Sequence, residues 1–312
     1  MIDRVAVVGA GLMGHGIAQL FAVAGVPVRL ADSAPERLPQ ALRAIASNLD
    51  LLVEEGGLSR AAADAALARV EAAPDLGRAV EGAGLVLEAI VERLDAKQEL
   101  FARVEAVVGP RVVLATNTSS LPLSEVAAGA RVPERVLVTH FFNPPHLVPL
   151  VEVLAHPAAP PDLLAATLAL LRRIGSRPVL LRKEVPGLVA NRLQAALTRE
   201  ALHLLEEGVA DAADIDAAVT EGPGLRWPFL GPLAVADYGG LDVWQKVIEN
   251  LSPELSAATT APPAVAERVR RGELGTKSGQ GIYRYRPEDV PALLRARDQN
   301  LLRLVRLKAG RR

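Results

Sequence analysis

The sequence predicts an α/β domain built on a parallel sheet, followed by an all-helical domain. Up to residue 185, short valine-rich apolar runs alternate with alanine-rich stretches of helical spacing. This alternation is typical of parallel strands joined by crossover helices. Runs such as VLVTHFF at residues 136–142 are mostly apolar without alternation, as expected of strands covered on both faces. Beyond residue 185 only helical spacing remains, so we expect one domain over residues 1–185 and a second over residues 186–312.

The predicted elements follow the chain in that order. Proline and glycine in KEVPG at residues 183–187 mark the joint between the two domains. The apolar runs expected to supply strands are residues 4–8, 26–31, 85–90, 112–115, 136–142 and 147–154. The stretches of helical spacing expected in the second domain are residues 188–207, 212–220, 262–271 and 292–307.

Composition excludes several classes of protein. The 312 residues carry 35 Lys and Arg against 36 Asp and Glu, a net charge of −1, so the chain lacks the positive field that holds a nucleic acid. No apolar run approaches the roughly 20 residues of a bilayer span, and we expect no membrane partner. The chain has no cysteine, which excludes disulfides and cysteine–zinc sites, and we expect no metal site. Since the sequence starts without a signal peptide, we expect a cytoplasmic protein.

A glycine pattern follows the first strand and opens a helix. The residues are GAGLMG at positions 9–14, a GxGxxG in the strand–turn–helix context that holds a dinucleotide pyrophosphate. Asp32 ends the second strand, where a carboxylate accepts hydrogen bonds from an adenosine ribose and repels a 2′-phosphate. These features predict a Rossmann-type domain that binds NAD rather than NADP; the alternative is a glycine turn beside a solvated aspartate. The expected cofactor contacts are Gly9, Gly11, Leu12, Met13, Gly14 and Asp32.

Two polar residues interrupt apolar runs. His140 lies in the run at 136–142, and Glu152 lies in the run at 147–154. A buried carboxylate without a partner is costly, so Glu152 needs one, and a histidine on a neighbouring strand is suitable. A carboxylate on one ring nitrogen fixes the tautomer and leaves the other nitrogen to take a proton from an alcohol. The alternative is a core histidine bonded to a backbone carbonyl.

Short polar side chains follow the strand at residues 112–115. The segment TNTSS at positions 116–120 lies where the carboxyl ends of parallel strands line a ligand crevice, so Asn117 and Ser119 can position a nicotinamide or a substrate carbonyl. A helix N-cap is the alternative use of such residues. Asn191, in the first helix of the second domain, faces the crevice if that helix packs across it and is otherwise an ordinary exposed position.

Together these motifs resemble the L-3-hydroxyacyl-CoA dehydrogenase family over essentially the whole chain. The resemblance implies an NAD-binding domain followed by a helical dimerisation domain, and hence a homodimer. It depends on the segments GAGLMGHGIA (9–18), VLEAIVE (86–92), TNTSS (116–120), HFFNPP (140–145), LVEV (150–153), GLVANR (187–192), GPLAVADYGGLD (231–242) and LGTKSGQGIYRY (274–285).

The resemblance also implies roles for individual residues. The residues implied to be catalytic are His140 as the base, Glu152 as its orienting carboxylate, and Ser119 and Asn191 as hydrogen-bond partners of the substrate. The further residues implied to contact the cofactor are Glu92, Lys97 and Asn143. In the implied reaction the base removes the 3-hydroxyl proton while a hydride passes to the nicotinamide, on an L-3-hydroxyacyl-CoA such as 3-hydroxybutyryl-CoA in fatty-acid metabolism.

The region after the second strand departs from the acyl-CoA members. Those members commonly carry lysines there that meet the CoA phosphates, whereas this chain has Glu54 and Glu55. The cations that could substitute are Arg37, Arg43 and Arg60.

A second departure lies in the helical domain. EGPGLRWPFLGPL at residues 221–233 is similar to the lambda-crystallin (L-gulonate 3-dehydrogenase) and L-carnitine dehydrogenase branches of the family, and Arg226 would there bind a substrate carboxylate. A domain-interface ion pair is the alternative for this arginine. We therefore expect a 3-hydroxyacyl-CoA substrate first, a free 3-hydroxy acid such as L-gulonate or carnitine second, and a non-catalytic, crystallin-like NAD-binding protein third.

Overall fold

The chain folds into two compact units, and we describe them from a computed structural model that covers residues 2–310. Of the described residues, the first unit takes those up to residue 189 and the second takes those from residue 190 onward. Residue 185, where the sequence suggested a boundary, lies in the loop that precedes the first helix of the second unit. Among the residues covered, no helix combines the length and apolarity needed to cross a bilayer.

An eight-stranded sheet organises the first unit, and its spatial order is β3-β2-β1-β4-β5-β6-β7-β8. The strands are β1 (Val5–Val8), β2 (Val28–Ala31), β3 (Val70–Ala72), β4 (Leu85–Glu88), β5 (Val113–Thr116), β6 (Val136–Phe141), β7 (Leu150–Ala155) and β8 (Arg177–Leu180). Neighbouring strands are parallel except for β6 and β7. The doubly wound α/β architecture expected from the alternating pattern is confirmed.

Helices cover both faces of this sheet. They are α1 (Leu12–Val23), α2 (Leu38–Glu54), α3 (Arg60–Ala68), α4 (Leu76–Val80), α5 (Leu94–Glu105), α6 (Leu123–Ala127) and α7 (Pro161–Arg173). Strand β1 feeds both layers: Val5 and Val7 point into one core cluster, and Ala6 and Val8 into the other. Because each face is buried, every residue of the central strands is apolar or must find a polar partner within the protein.

The sheet differs from the sequence expectation in two respects. Strand β7 runs antiparallel to β6, because the connection at residues 142–149 is too short for a crossover helix. Strands β3 and β8 were not expected at all. The first has three residues, of which one is buried, and the second is a largely exposed strand at the edge of the sheet. Neither shows the continuous apolar run that identifies the central strands.

The second unit is helical, as expected. Its helices are α8 (Ala190–Glu206), α9 (Ala212–Thr220), α10 (Pro223–Arg226), α11 (Pro232–Gly239), α12 (Leu241–Leu251), α13 (Pro263–Arg270) and α14 (Val290–Ala309). Helices α10 to α12 were not expected, because the glycines and prolines around them obscure the helical spacing. Within the covered part of this unit only Ile215, Val235 and Leu302 are buried among the apolar residues, so much apolar surface remains exposed.

Candidate active site

The turn after β1 is built from glycines that meet other backbone groups closely. Gly9 has a φ of +104°, and a Cβ on it would lie 2.5 Å from the carbonyl oxygen of Ala89. A Cβ on Gly14 would lie 1.7 Å from the carbonyl oxygen of Gly9. Gly11, the N-cap of α1, differs because a Cβ there would meet nothing within 4 Å. The space over the N-terminus of α1 is therefore open to a pyrophosphate.

Asp32 lies at the end of β2, beside this turn. Its Oδ2 accepts a hydrogen bond from the backbone N–H of Ala10 at 2.7 Å, and its Oδ1 accepts from that of Ala34 at 2.9 Å. The carboxylate borders a cleft of about 390 Å³ with apolar walls that include Pro35 and Ile90. An adenosine fits these features, since its base needs apolar walls and its ribose hydroxyls need an acceptor.

Glu92 contacts the segment that follows β5. Its Oε1 accepts hydrogen bonds from the hydroxyl of Thr118 at 2.5 Å, from the N–H of Ser119 at 3.0 Å and from the N–H of Ser120 at 3.2 Å. Burial by itself raises the pKa of Glu92, but the hydrogen bonds from Thr118, Ser120 and Lys97, together with the charge of Lys97, outweigh it and hold the pKa below its usual value. The charged carboxylate therefore fixes the loop in which Ser119 lies.

Lys97 is buried rather than open to a ligand. Its Nζ lies 2.7 Å from Oε1 of Glu88 and 3.2 Å from Oε2 of Glu92. The side chain of Lys97 is 1% exposed, whereas that of Glu92 is 37% exposed. Of these groups, only Glu92 presents a surface that a cofactor can reach, and Lys97 lies behind it.

Asn117 joins two strands at the crevice edge. Its Oδ1 accepts a hydrogen bond from the N–H of Phe141 at 2.9 Å, which links the end of β5 to the end of β6. This bond uses the amide oxygen and leaves the amide NH2 group as the donor that can face a ligand. Asn143, which follows β6, is exposed.

His140 and Glu152 face one another across β6 and β7. They are register partners in this antiparallel pair, and Nδ1 of His140 lies 3.0 Å from Oε2 of Glu152. The other carboxylate oxygen, Oε1, accepts a hydrogen bond from the N–H of Val189 at 2.8 Å. Both side chains are buried, at 8% and 1% exposure. With Nδ1 engaged, Nε2 is the ring nitrogen that can exchange a proton with a substrate.

The remaining predicted residues lie on other elements. Ser119 is partly exposed after β5. Asn191 is the second residue of α8 and is partly exposed, and Arg226 ends α10 and is exposed. The last two belong to the second unit, and their roles remain predictions. No three metal-ligating side chains come together among residues 2–310 in a way that could hold an ion.

The fold and these residues match a known family. Residues 4–185 match the NAD-binding domain of 3-hydroxyacyl-CoA dehydrogenase, and residues 187–285 match the C-terminal domain of the same enzyme. The chain belongs to the 3-hydroxyacyl-CoA dehydrogenase family. It is therefore an NAD-dependent oxidoreductase that acts on CH–OH groups.

Members of the family that resemble this chain differ in substrate. The 5-formyl-3-hydroxy-2-methylpyridine 4-carboxylate 5-dehydrogenase of Mesorhizobium japonicum is 35% identical over 100% of both chains. The crystal structure of an enzyme of that name, described as an NAD+-dependent dismutase, has a TM-score of 0.91 and 34% identity over 99% of each chain. The L-carnitine dehydrogenase of Burkholderia mallei is 37% identical over 97% of this chain and 93% of its own. The probable 3-hydroxybutyryl-CoA dehydrogenase of Bacillus subtilis is 36% identical over 91% of this chain and 98% of its own.

The NAD of this family fits the groups described. The open N-terminus of α1 suits the pyrophosphate, and Asp32 with its apolar cleft suits the adenosine. Sequence reasoning did not single out Glu88, which is buried at the end of β4. The sequence could have identified Glu88, because an acid inside the apolar run at 85–90 needs a buried partner for the same reason as Glu152 does.

Proposed function

We propose that this dehydrogenase oxidises the hydroxyl group of a small free acid rather than that of a CoA thioester. The observation that carries the proposal is the charge balance of α2 and the start of α3, the region after the second strand where acyl-CoA members have lysines. Nη1 of Arg60 lies 2.7 Å from Oδ1 of Asp50 and 3.6 Å from Oδ1 of Asp64. An arginine held by two carboxylates is a poor partner for a phosphate.

The other charges of this region support the same substrate class. Arg37 and Arg43 are exposed, but Glu54 at the end of α2 and the adjoining Glu55 offset them. The 3′-phosphate and the pyrophosphate of a CoA thioester would meet no excess of positive charge in this region. We therefore place a free hydroxy acid before a 3-hydroxyacyl-CoA, whereas the sequence alone favoured the thioester.

Two of the relatives also favour a small free substrate. By their names, the L-carnitine dehydrogenase of Burkholderia mallei and the pyridine-carboxylate dehydrogenase of Mesorhizobium japonicum act on small molecules rather than on CoA thioesters. Their likeness covers 97% and 100% of this chain and so includes most of the second unit, where Arg226 lies.

His140 is the base in the proposed reaction. Its Nδ1 is held by Glu152 at 3.0 Å, so the ring has one orientation and Nε2 faces the substrate. Nε2 takes the hydroxyl proton, while the carbon that carried the hydroxyl gives up its hydrogen as a hydride. NAD supplies the hydride acceptor. The Glu152 carboxylate offsets the positive charge that the ring gains, and Ser119 donates a hydrogen bond to the reacting oxygen.

A substrate panel tests the proposal. Reduction of NAD is followed under the same conditions with L-gulonate, L-carnitine and 3-hydroxybutyryl-CoA. A fourth substrate is 5-formyl-3-hydroxy-2-methylpyridine 4-carboxylate, which offers a CH–OH group only through the hydrate of its formyl group. We expect kcat/KM for at least one free acid to exceed that for the thioester by about tenfold or more, the effect of one charge-assisted hydrogen bond. Activity confined to 3-hydroxybutyryl-CoA would overturn the proposal and favour a role in fatty-acid metabolism.

The second unit supports a homodimer. Helix α8 has 17 residues and none of them is buried, although Leu193 is 57% and Leu197 is 40% exposed. On α12, Ile248 and Leu251 are exposed by 56% and 52%. Helices with apolar faces this open are covered by another chain in stable oligomers.

A further inference from the structure

A buried carboxylate that takes no part in the proton transfer lies behind the crevice. Glu88 is the last residue of β4, and its side chain is 0% exposed, so it can touch neither substrate nor cofactor. Its Oε1 and Oε2 accept hydrogen bonds from Nζ of Lys97 at 2.7 and 2.8 Å. Oε1 also accepts from the hydroxyl of Thr116, and Oε2 accepts from the N–H of Ile90 at 3.1 Å.

The partners of Glu88 lead to the surface of the crevice. Lys97 bridges from Glu88 to Oε2 of Glu92, at 3.2 Å. Oε1 of Glu92 then accepts from the N–H of Ser119 at 3.0 Å and from the hydroxyl of Ser120 at 3.0 Å. The buried ammonium group of Lys97 is thus shared by two carboxylates, and the outer one, Glu92, holds residues 118–120 by hydrogen bonds.

A second connection reaches the same loop through the strand end. Thr116 is the register partner of Glu88 on β5, and its Oγ1 accepts a hydrogen bond from the N–H of Thr118 at 3.2 Å. The turn that Glu88 fixes through Ile90 is also the one against which Gly9 packs, since a Cβ on Gly9 would lie 2.5 Å from the oxygen of Ala89. Glu88 therefore supports both the loop after β4 and the loop after β5.

We propose that Glu88 is a positioning residue for the reaction. It anchors Lys97, which holds Glu92 against residues 118–120, so that the hydroxyl of Ser119 has a single position toward the substrate. The proposal rests on the role of Ser119 in substrate binding. Without the charge of Glu88, the ammonium group of Lys97 has Glu92 as its nearest anion and pulls that carboxylate away from the loop.

Helix α5 provides a matched control at its other end. Glu105 pairs with Arg135 at 2.7 Å, and the two side chains are 1% and 3% exposed, so this ion pair is as buried as that of Glu88 and Lys97. Glu105 also accepts hydrogen bonds from the N–H groups of Arg131 and Val132, in the segment that precedes β6, whereas the crevice lies beyond the other end of that strand. If a buried ion pair only stabilises the fold, the loss of either pair should have the same effect on stability and on activity.

The experiment compares E88Q with E105Q. For each variant we measure the melting temperature, the Kd for NAD, kcat and KM with the best substrate, and hydrogen exchange of the peptide at residues 117–121. Both variants should melt earlier than the wild type. E88Q should also lower kcat by about 10- to 100-fold, since small misplacements of a positioning group have that effect, and should speed exchange at residues 118–120. E105Q should keep kcat within about twofold and leave the exchange of this peptide unchanged.

A double-mutant cycle with Ser119→Ala tests whether Glu88 affects the reaction through Ser119. If Glu88 acts through Ser119, E88Q should cost about twofold or less in kcat once Ser119 is alanine. Full additivity, or an E88Q variant with native kcat and native exchange of residues 118–120, would overturn the proposal. Should E88Q fail to fold, Thr116→Val removes one donor to Glu88 and serves in the same cycle. The substrate panel uses only the wild-type enzyme, so its outcome is separate, and hydrogen exchange needs no turnover.

Discussion

At the scale of single residues, the two buried carboxylates of this enzyme have different partners. Glu152 shares its charge with a histidine that has a second nitrogen to offer, whereas Glu88 is enclosed by Lys97, Thr116 and a backbone N–H. The first arrangement can pass a proton to or from a ligand. The second can only hold its neighbours in place, because none of its atoms is exposed.

The base can be tested by removing its ring. His140→Ala should lower kcat by about 10²- to 10⁴-fold, the contribution of a positioned general base. The Kd for NAD should stay close to that of the wild type, because the pyrophosphate and adenosine sites do not involve this side chain. Single-turnover kinetics and NAD titration measure the two effects. The control is His156→Ala, which alters a partly exposed loop histidine bonded to the N–H of Ala158. Near-native kcat in His140→Ala would exclude the assignment.

Cofactor selection is also a single-residue property. Asp32→Asn keeps the size of the side chain but removes the charge that repels a 2′-phosphate, so the preference for NAD over NADP should fall by about tenfold or more. The ratio of kcat/KM for the two cofactors measures it. An unchanged ratio would mean that another group excludes the phosphate.

Arg226 tests the carboxylate of the proposed substrate. Arg226→Ala should raise KM for a free acid by about 10- to 100-fold, the equivalent of one charge-assisted hydrogen bond, and should leave KM for a thioester nearly unchanged. Arg270→Ala, also an exposed arginine of the second unit, is the control. Equal effects of the Arg226 change on both substrates would contradict carboxylate recognition.

At the scale of elements, α5 returns the chain from the carboxyl end of β4 to the amino end of β5 and carries a buried ion pair at each of its own ends. Lys97 near its start pairs with Glu88 behind the crevice, and Glu105 at its end pairs with Arg135 on the opposite side. Burial alone raises the pKa of Glu105, but hydrogen bonds from the backbone of Arg131 and from Arg135 outweigh it and lower the pKa below its ordinary 4.5. The end of α5 away from the crevice is thus held by an ionised carboxylate.

The stability that Glu105 supplies should depend on pH. A carboxylate with a depressed pKa in the folded state stabilises the fold fully above its ordinary pKa of 4.5 and loses that contribution as the pH falls through the folded-state value. E105Q should therefore lower the free energy of unfolding by about 3 kcal/mol at neutral pH. The difference from the wild type should shrink below pH 4.5. Urea unfolding at a series of pH values measures it, and a difference that does not vary with pH would contradict the explanation.

At the scale of the whole molecule, burial is distributed unevenly. The sheet of the first unit is covered on both faces, while helix α8 of the second unit has no buried residue. A monomer would leave the leucines of α8 and α12 in water, at a cost of roughly 25 cal/mol for each Å² of apolar surface. In the proposed homodimer, a second copy of the chain would cover them.

Sedimentation tests the dimer. At micromolar concentration we expect a species of twice the 32.9 kDa chain mass. Leu197→Glu should shift it toward the monomer, because a carboxylate cannot be buried in an apolar interface without a partner. Val107→Glu, at an exposed position of the first unit, should not. A wild-type monomer under these conditions would refute the proposed assembly.

Local sequence determined the parts of this protein whose partners are close along the chain. The glycine turn, helix α1 and Asp32 all lie between the start of β1 and the residue after β2. They could be predicted because each depends only on residues that are close to it in sequence. The pairing of His140 with Glu152 could also be anticipated, since two polar groups in buried runs must satisfy each other.

Only the tertiary structure decided the contacts that depend on strand order. Glu88 meets Thr116 because β4 and β5 are adjacent in register, and Asn117 meets the N–H of Phe141 because β6 comes next. Arg60 could have bound a phosphate, but the packing of α3 beside α2 sets Asp50 next to it. Apolar periodicity reports which face of an element is buried, and a polar contact between distant residues exists only once the elements have been placed side by side.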